Sequence, residues 1–225
     1  MRSCSIRITR ILFFLPDCAV SGSTNCIQTC ETLYTAWNLN VNQYVGYLDR
    51  HALACPASKA LTRYKLEHRT SDDNIRYEYE CCSVYRSTVA IESTLYQQET
   101  TATAILIDPA AANNYLDKQT VRCPGSNQLI NSLQMVKTVD TVRFAMDCYQ
   151  LATGFTATEV VETSETFDMT SLNNTAFYDV DVDCNDGPGV EFMMETRLVM
   201  TYGHHLDPVN HNGTFHLKCA DVEEV

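Results

Sequence analysis

The chain has 225 residues, 45% of them hydrophobic and 20% charged, and a formal net charge of −12. That length holds one large domain or two small ones. The acidity argues against a nucleic-acid partner, which needs clustered Lys and Arg, and against docking on an anionic membrane surface.

At the N-terminus, Arg2, Arg7 and Arg10 precede the apolar run 11–15, and small residues fill 19–23. A basic stretch, an apolar run and a small-residue site form the pattern of a secretory leader. Residues 1–23 are therefore expected to be a signal peptide, whose cleavage would remove Cys4 and Cys18. Pro16 and Asp17 interrupt the run, so a retained leader is the alternative. No segment reaches the about 20 apolar residues of a membrane span. Residues 24–43 follow as an N-terminal segment with helical signals over 24–37.

From 44 to 225 the chain repeats itself. Tyr47-Leu48-Asp49-Arg50 leads into Cys55-Pro56, and Tyr115-Leu116-Asp117-Lys118 leads into Cys123-Pro124, at an offset of 68. A second cysteine closes each copy: Cys81 comes 26 residues after Cys55, and Cys148 comes 25 after Cys123. A degraded third copy runs from Cys184 to Cys219. The units fall at about 44–88, 110–153 and 174–225. Each copy has to solve the same packing problem.

The residues before each closing cysteine alternate. Ile75, Tyr77, Tyr79 and Cys81 interleave with Arg76, Glu78 and Glu80. Val142, Phe144, Met146 and Cys148 repeat the pattern, as do Phe215, Leu217 and Cys219. Period-two alternation places the apolar set and the cysteine on one face of a strand that ends there. An aromatic precedes the cysteine by four residues in every copy: Tyr77, Phe144 and Phe215. Further strands are expected over 62–68, 131–137 and 195–202. The Thr- and Val-rich segments 101–107 and 156–163 read as strands between units. A helical turn is expected over 110–116. The fold class is all-β: a single disulfide-rich domain of three internal repeats, with pseudo-threefold or tandem β-meander units.

Eleven cysteines exceed ordinary usage. Only Cys26-x-x-x-Cys30 approaches a zinc-type spacing, and no second ligand pair follows it. Their long spacings read as disulfides and an oxidising compartment. The simplest pairing is within units: Cys55–Cys81, Cys123–Cys148 and Cys184–Cys219. Sequence alone does not fix the connectivity. Cys82 adjoins Cys81, so it faces the opposite side of its strand and needs a partner outside its unit. Cys26 or Cys30 is the best candidate, and the cysteine left over is available for Cys18 or another chain.

These features resemble the dermatopontin family. The resemblance rests on the segment 73–82 (Asp-Asn-Ile-Arg-Tyr-Glu-Tyr-Glu-Cys-Cys), the Cys55-Pro56 and Cys123-Pro124 openings, and Trp37-Asn38-Leu39-Asn40 as the aromatic entry. It covers roughly residues 35 to 225. The family's Asp-Arg pair is missing from every closing strand, and its tryptophan is replaced by Tyr77, Phe144 or Phe215. The resemblance implies an extracellular protein that binds matrix proteins, cell-surface receptors or glycans.

Several constellations could carry chemistry. Asp179, Asp181, Asp183 and Asp186 suggest calcium, a cation that wants clustered carboxylates. On a strand the first three share one face, opposite Val180 and Val182; the plainer expectation is a solvated face with no metal. His204, His205, His211 and His216 crowd into the third unit, where zinc or copper ligation is conceivable. No nucleophile elbow or phosphate-cradling glycine loop is present, so no catalytic residue and no cofactor are expected. A carboxylate pair of glycosidase type is the remaining enzymatic alternative. Tyr34, Tyr44, Tyr47, Tyr77, Tyr79 and Tyr85 offer ring faces for sugars, though Tyr77 and Tyr79 should face the core. Sequons at Asn173 and Asn212 agree with secretion. The reading that results is a secreted structural or adhesion protein. Its partners are extracellular proteins or glycans held by multivalent contact, with homo- or hetero-assembly open to it. A soluble lectin is the alternative.

Overall fold

The computed structural model of this protein describes residues 29–40, 45–84, 95–104, 116, 119–163, 167–168, 177–178, 180–185, 190–202 and 211–225. The early strands are β1 (Cys30–Tyr34), β2 (Asn38–Leu39), β3 (Ala52–Ala54), β4 (Lys59–Arg69) and β5 (Asn74–Ser83). The middle strands are β6 (Leu95–Glu99), β7 (Thr103–Ala104), β8 (Thr120–Arg122), β9 (Gln128–Lys137) and β10 (Thr141–Gln150). The last are β11 (Phe155–Thr163), β12 (Phe167–Asp168), β13 (Asp181–Asp183), β14 (Phe192–Tyr202) and β15 (His211–Glu224). A 3-10 turn over Val45–Arg50 precedes β3.

Three long antiparallel hairpins carry the fold: β4–β5, β9–β10 and β14–β15. Each alternates apolar and polar residues, so one of its faces must be buried. Ile75, Tyr79 and Cys81 are buried on β5; Val142, Met146 and Cys148 on β10; Leu217 and Cys219 on β15. Each hairpin is the centre of its own five-stranded sheet. The first sheet runs β1-β5-β4-β13 with β2 also on β5. The second runs β3-β9-β10-β6 with β7 on β10, and the third β11-β15-β14-β8 with β12 on β15.

One edge of every sheet comes from strands two and three places before its hairpin: β1 and β2, β6 and β7, and β11 and β12. The other edge comes from a different part of the chain. The short strand ahead of each opening cysteine does not join the hairpin that follows it but lands on another sheet: β3 on β9, β8 on β14 and β13 on β4. A bulge in the hairpin marks the landing point each time, at Thr62, Asn131 or Met194. A bulge takes its residue out of the hairpin ladder. The carbonyls of Thr62, Asn131 and Met194 accept the N–H groups of Cys184, Cys55 and Cys123 at 3.0, 3.0 and 3.2 Å.

This crossing turns three disulfides into ties between sheets. Cys55–Cys81 joins the second sheet to the first, Cys123–Cys148 the third to the second, and Cys184–Cys219 the first to the third. The three links close a ring. The fourth bridge, Cys30–Cys82, lies inside the first sheet between directly paired residues of β1 and β5.

The core is layered along this ring. A middle layer contains the six ring cysteines with Leu61, Ile130 and Met193. A second layer contains Leu48, Leu66, Leu116, Met135, Phe177 and Leu198. A third contains Ala60, Leu129, Phe192, Tyr149 and Val222. Leu61, Leu129, Ile130 and Phe192 are fully buried, each burial stabilising the fold by roughly 1.5–3 kcal/mol relative to exposure.

The structure differs from the sequence expectations in three places. Where it is described, the stretch 24–37 is not helical: Cys30–Tyr34 is a strand. The Cys30–Cys82 bridge and the hydrogen bond between the Thr29 and Ser83 hydroxyls (2.7 Å) lay it along the edge of β5. The closing strands continue past their cysteines, β5 to Ser83, β10 to Gln150 and β15 to Glu224, because partners on both sides extend their ladders. The stretches 44–88, 110–153 and 174–225 do not each form a sheet of their own, since the strands β3, β8 and β13 pair outside the hairpin that follows them. The segment 156–163 is strand, as part of Phe155–Thr163, and of 101–107 the described part is strand at Thr103–Ala104. Residues 1–23, Cys26 and the helical expectation over 110–115 lie outside the described residues.

Candidate functional site

The outward face of the first sheet concentrates aromatic rings and charges. Alternation along β5 sends Arg76 and Glu78 outward, and antiparallel pairing sets Tyr34 of β1 opposite Glu78. The Arg76 guanidinium lies 4.0 Å from the centre of the Tyr34 ring and 4.4 Å from that of Trp37. Arg69, at the end of β4, lies 4.5 Å from the same Trp37 ring. Tyr34, Arg76, Trp37 and Arg69 thus form an array across three strands and a loop. Guanidinium planes attract aromatic faces, by roughly 0.5–1 kcal/mol per exposed pair.

Carboxylates pair every cation of this array. Arg76 Nε donates to Glu67 at 2.6 Å, and both nitrogens of the Arg69 fork reach Asp72. The Asp72 carboxyl sits below its ordinary range because Arg69 donates to it, and the Glu78 carboxylate pushes the Tyr34 phenol up. Tyr34 is 48% exposed, so its ring is reachable from solvent. The face therefore offers a half-exposed Tyr34 ring, with Arg76 stacked over it, beside fixed donors and acceptors whose charge is balanced locally.

The acidic run sits on the same sheet. Asp181 and Asp183 belong to β13, which pairs with β4 beside Arg63. Arg63 grips Asp181 with two bonds of 2.6 Å, donates to Glu78 at 3.0 Å, and lies 3.7 Å from Asp183. Hydrogen bonding to Asp181 holds the Arg63 guanidinium more firmly protonated, and burial raises the Asp183 carboxyl. A fixed guanidinium thus supplies the positive charge that a calcium ion would bring. Val182, between the two carboxylates, is buried in the core. Asp179 and Asp186 lie outside the described residues.

The other sequence candidates are dispersed. Tyr77 and Tyr79 turn inward and pack in the core, and Tyr47 is half-buried with the Arg50 guanidinium 4.2 Å from its ring centre. Tyr44, Tyr85, Asn173, His204 and His205 lie outside the described residues. Asn212 is exposed on β15, and His216 is exposed on the same strand. Among the described residues the one cluster with metal-ligand types is Cys30, Glu80 and Cys82. Its two sulfurs are bonded to each other, which leaves no thiolate for a metal.

Sequence reasoning placed Arg76 on an outer face and noted Trp37 and Tyr34, but did not bring them together. Their stacking depends on β1 and β2 pairing with β5, a contact over about forty residues that local alternation does not encode. The chain matches no model of a known protein family, and no curated protein matches it. Among the described residues, no helix is long and apolar enough to cross a membrane.

Proposed function

We propose that this protein is a secreted structural or adhesion module of dermatopontin-like type, which holds extracellular proteins or glycans on the outward faces of its sheets. The three sheets are read as three copies of one unit about a pseudo-threefold axis. The recurring bulge, the lent strand and the inter-sheet bridge support that reading. Four disulfides fit an oxidising compartment.

The observation that carries the function is the exposed Tyr34 ring beside the Arg76–Trp37 stack. A sugar presents C–H groups on one side and hydroxyls around its rim. A half-exposed aromatic ring beside paired guanidinium and carboxylate groups matches both. This favours glycans within the partner class and supports the lectin alternative as well. Because Arg63 already neutralises Asp181 and Asp183, sugar binding here needs no calcium.

A glycan array probed with the whole protein, with calcium and with chelator, tests this. Binding unaffected by chelator, and reduced at least tenfold by Tyr34→Ala, is the expected result. A blank array together with no capture by collagen or proteoglycan surfaces would refute the proposal.

A further inference from the structure

The three sheets meet around a partly open cavity of about 80 Å³. Corresponding positions of the three units supply its wall. The fourth residue before each opening cysteine gives His51, Gln119 and Val180, and the aromatic before each closing cysteine gives Tyr77, Phe144 and Phe215. Most of the remaining wall is aliphatic.

The polar groups in this wall are not equally satisfied. Thr100 donates its hydroxyl to Gln119 Oε1, and Gln119 Nε2 donates to the Thr101 carbonyl at 3.2 Å. The Tyr64 and Thr196 hydroxyls bond each other at 2.9 Å. His51 differs. It is 1% exposed, its Nδ1 lies 2.8 Å from the Thr35 hydroxyl, and its Nε2 has no partner. The Thr35 oxygen accepts the Tyr77 N–H at 2.9 Å and keeps one lone pair and one proton; among the described residues His51 Nδ1 is the one acceptor that this proton reaches, so we place the proton toward Nδ1. That assigns Nδ1 as acceptor and leaves the imidazole proton on Nε2. The same geometry recurs at Thr100, whose oxygen accepts the Phe144 N–H and whose proton goes to Gln119. The cavity is thus an apolar chamber with one buried N–H donor that lacks an acceptor. Leaving such a donor unmade is costly.

We propose that this chamber binds a compact neutral organic molecule, a ketone or alcohol of about four heavy atoms, whose oxygen accepts the His51 Nε2 proton. A single water at Nε2 would satisfy the imidazole but make no use of the aliphatic and aromatic walls around it. A small molecule with one acceptor and an apolar body meets both. Its apolar surface packs on Phe144 and Phe215, and its oxygen satisfies the imidazole. The site shares no lining residue with the Tyr34, Trp37, Arg69 and Arg76 array described above.

Acetone and xenon, added separately to the whole protein, test the assignment. Xenon matches the size but offers no acceptor. Acetone is expected to shift the His51 Nε2 nitrogen resonance saturably, whereas xenon leaves that resonance in place. His51→Phe is expected to weaken acetone binding about tenfold, the worth of one hydrogen bond, and to change xenon binding less than twofold. The proposal is overturned if acetone shifts the resonance without saturating, if the substitution weakens both probes equally, or if acetone-soaked crystals hold only water at Nε2. Should the variant fail to fold, the acetone-against-xenon comparison on the unaltered protein decides.

Discussion

Cys184 follows a strand of the first sheet, yet its sulfur is bonded to Cys219, in the middle of the third. The Cα atoms lie 5.6 Å apart, and the Cys184 N–H is already fixed on the Thr62 carbonyl. The bridge therefore holds together two sheets whose hairpins are more than a hundred residues apart in the chain.

Removing this tie tests the ring. The Cys184→Ala/Cys219→Ala double variant opens a loop with a sequence separation of 35. Chain entropy alone assigns such a closure about 4 kcal/mol. Urea unfolding should show a loss of about 2–4 kcal/mol, and a loss below 1 kcal/mol would mean the sheets cohere without the ring.

Asn131 is the second joint. Its buried amide donates to the Cys55 carbonyl at 3.2 Å and the Lys59 carbonyl at 2.7 Å, while its own carbonyl holds the Cys55 N–H. Asn131→Ala strips two backbone carbonyls of their donor. The expected cost is about 2–3 kcal/mol, seen as a lower urea midpoint at unchanged slope. Asn131→Asp should cost more, because a carboxylate would then face two carbonyl oxygens.

The contrast between ring and joint shows what was legible. The offset between Cys55 and Cys123 is a property of the sequence itself, and the alternation at Ile75, Tyr77 and Tyr79 marks strand and inward face. Both are local signals with a fixed period. The destination of the three-residue strand at Ala52–Ala54 is not local: nothing in Ala-Leu-Ala says that it pairs with residues 132–134. The bulge at Asn131 reads as ordinary alternation until its partner strand is known. His51 carries no signal in the sequence. Its significance lies in the Thr35 hydroxyl, which reaches it only because residues 30–39 pack on β5.

Arg63 balances an acidic corner, and neutralising it should reveal the repulsion it suppresses. Arg63→Gln leaves Asp181, Asp183 and Glu78 without their common cation. These groups are partly solvated, so screening limits the effect. A loss of about 1–2 kcal/mol at low salt is expected, shrinking as salt rises. Adding Asp181→Asn to that variant should recover part of it. An unchanged urea midpoint at low salt would count against this role for Arg63.

His51 should make the protein sensitive to mild acid. Burial, with a smaller contribution from the Arg50 charge, lowers the imidazole from 6.5 to about 4. In the unfolded chain the ring takes up its proton near pH 6.5, whereas the native ring resists until about pH 4. Between those values the unfolded state binds more protons, so stability must fall as the pH falls. The shift corresponds to about 3 kcal/mol, lost progressively over that window and constant below it. His51→Gln, which installs the side chain already used at position 119, keeps an acceptor for the Thr35 hydroxyl and has nothing to titrate. Subtracting the two proteins' urea stabilities at pH 4, 5, 6 and 7 cancels the contribution of the carboxylates. The difference should favour the unaltered protein least at pH 4. A difference independent of pH would mean that the native imidazole takes up its proton as readily as the unfolded one, against the buried neutral ring assigned to it.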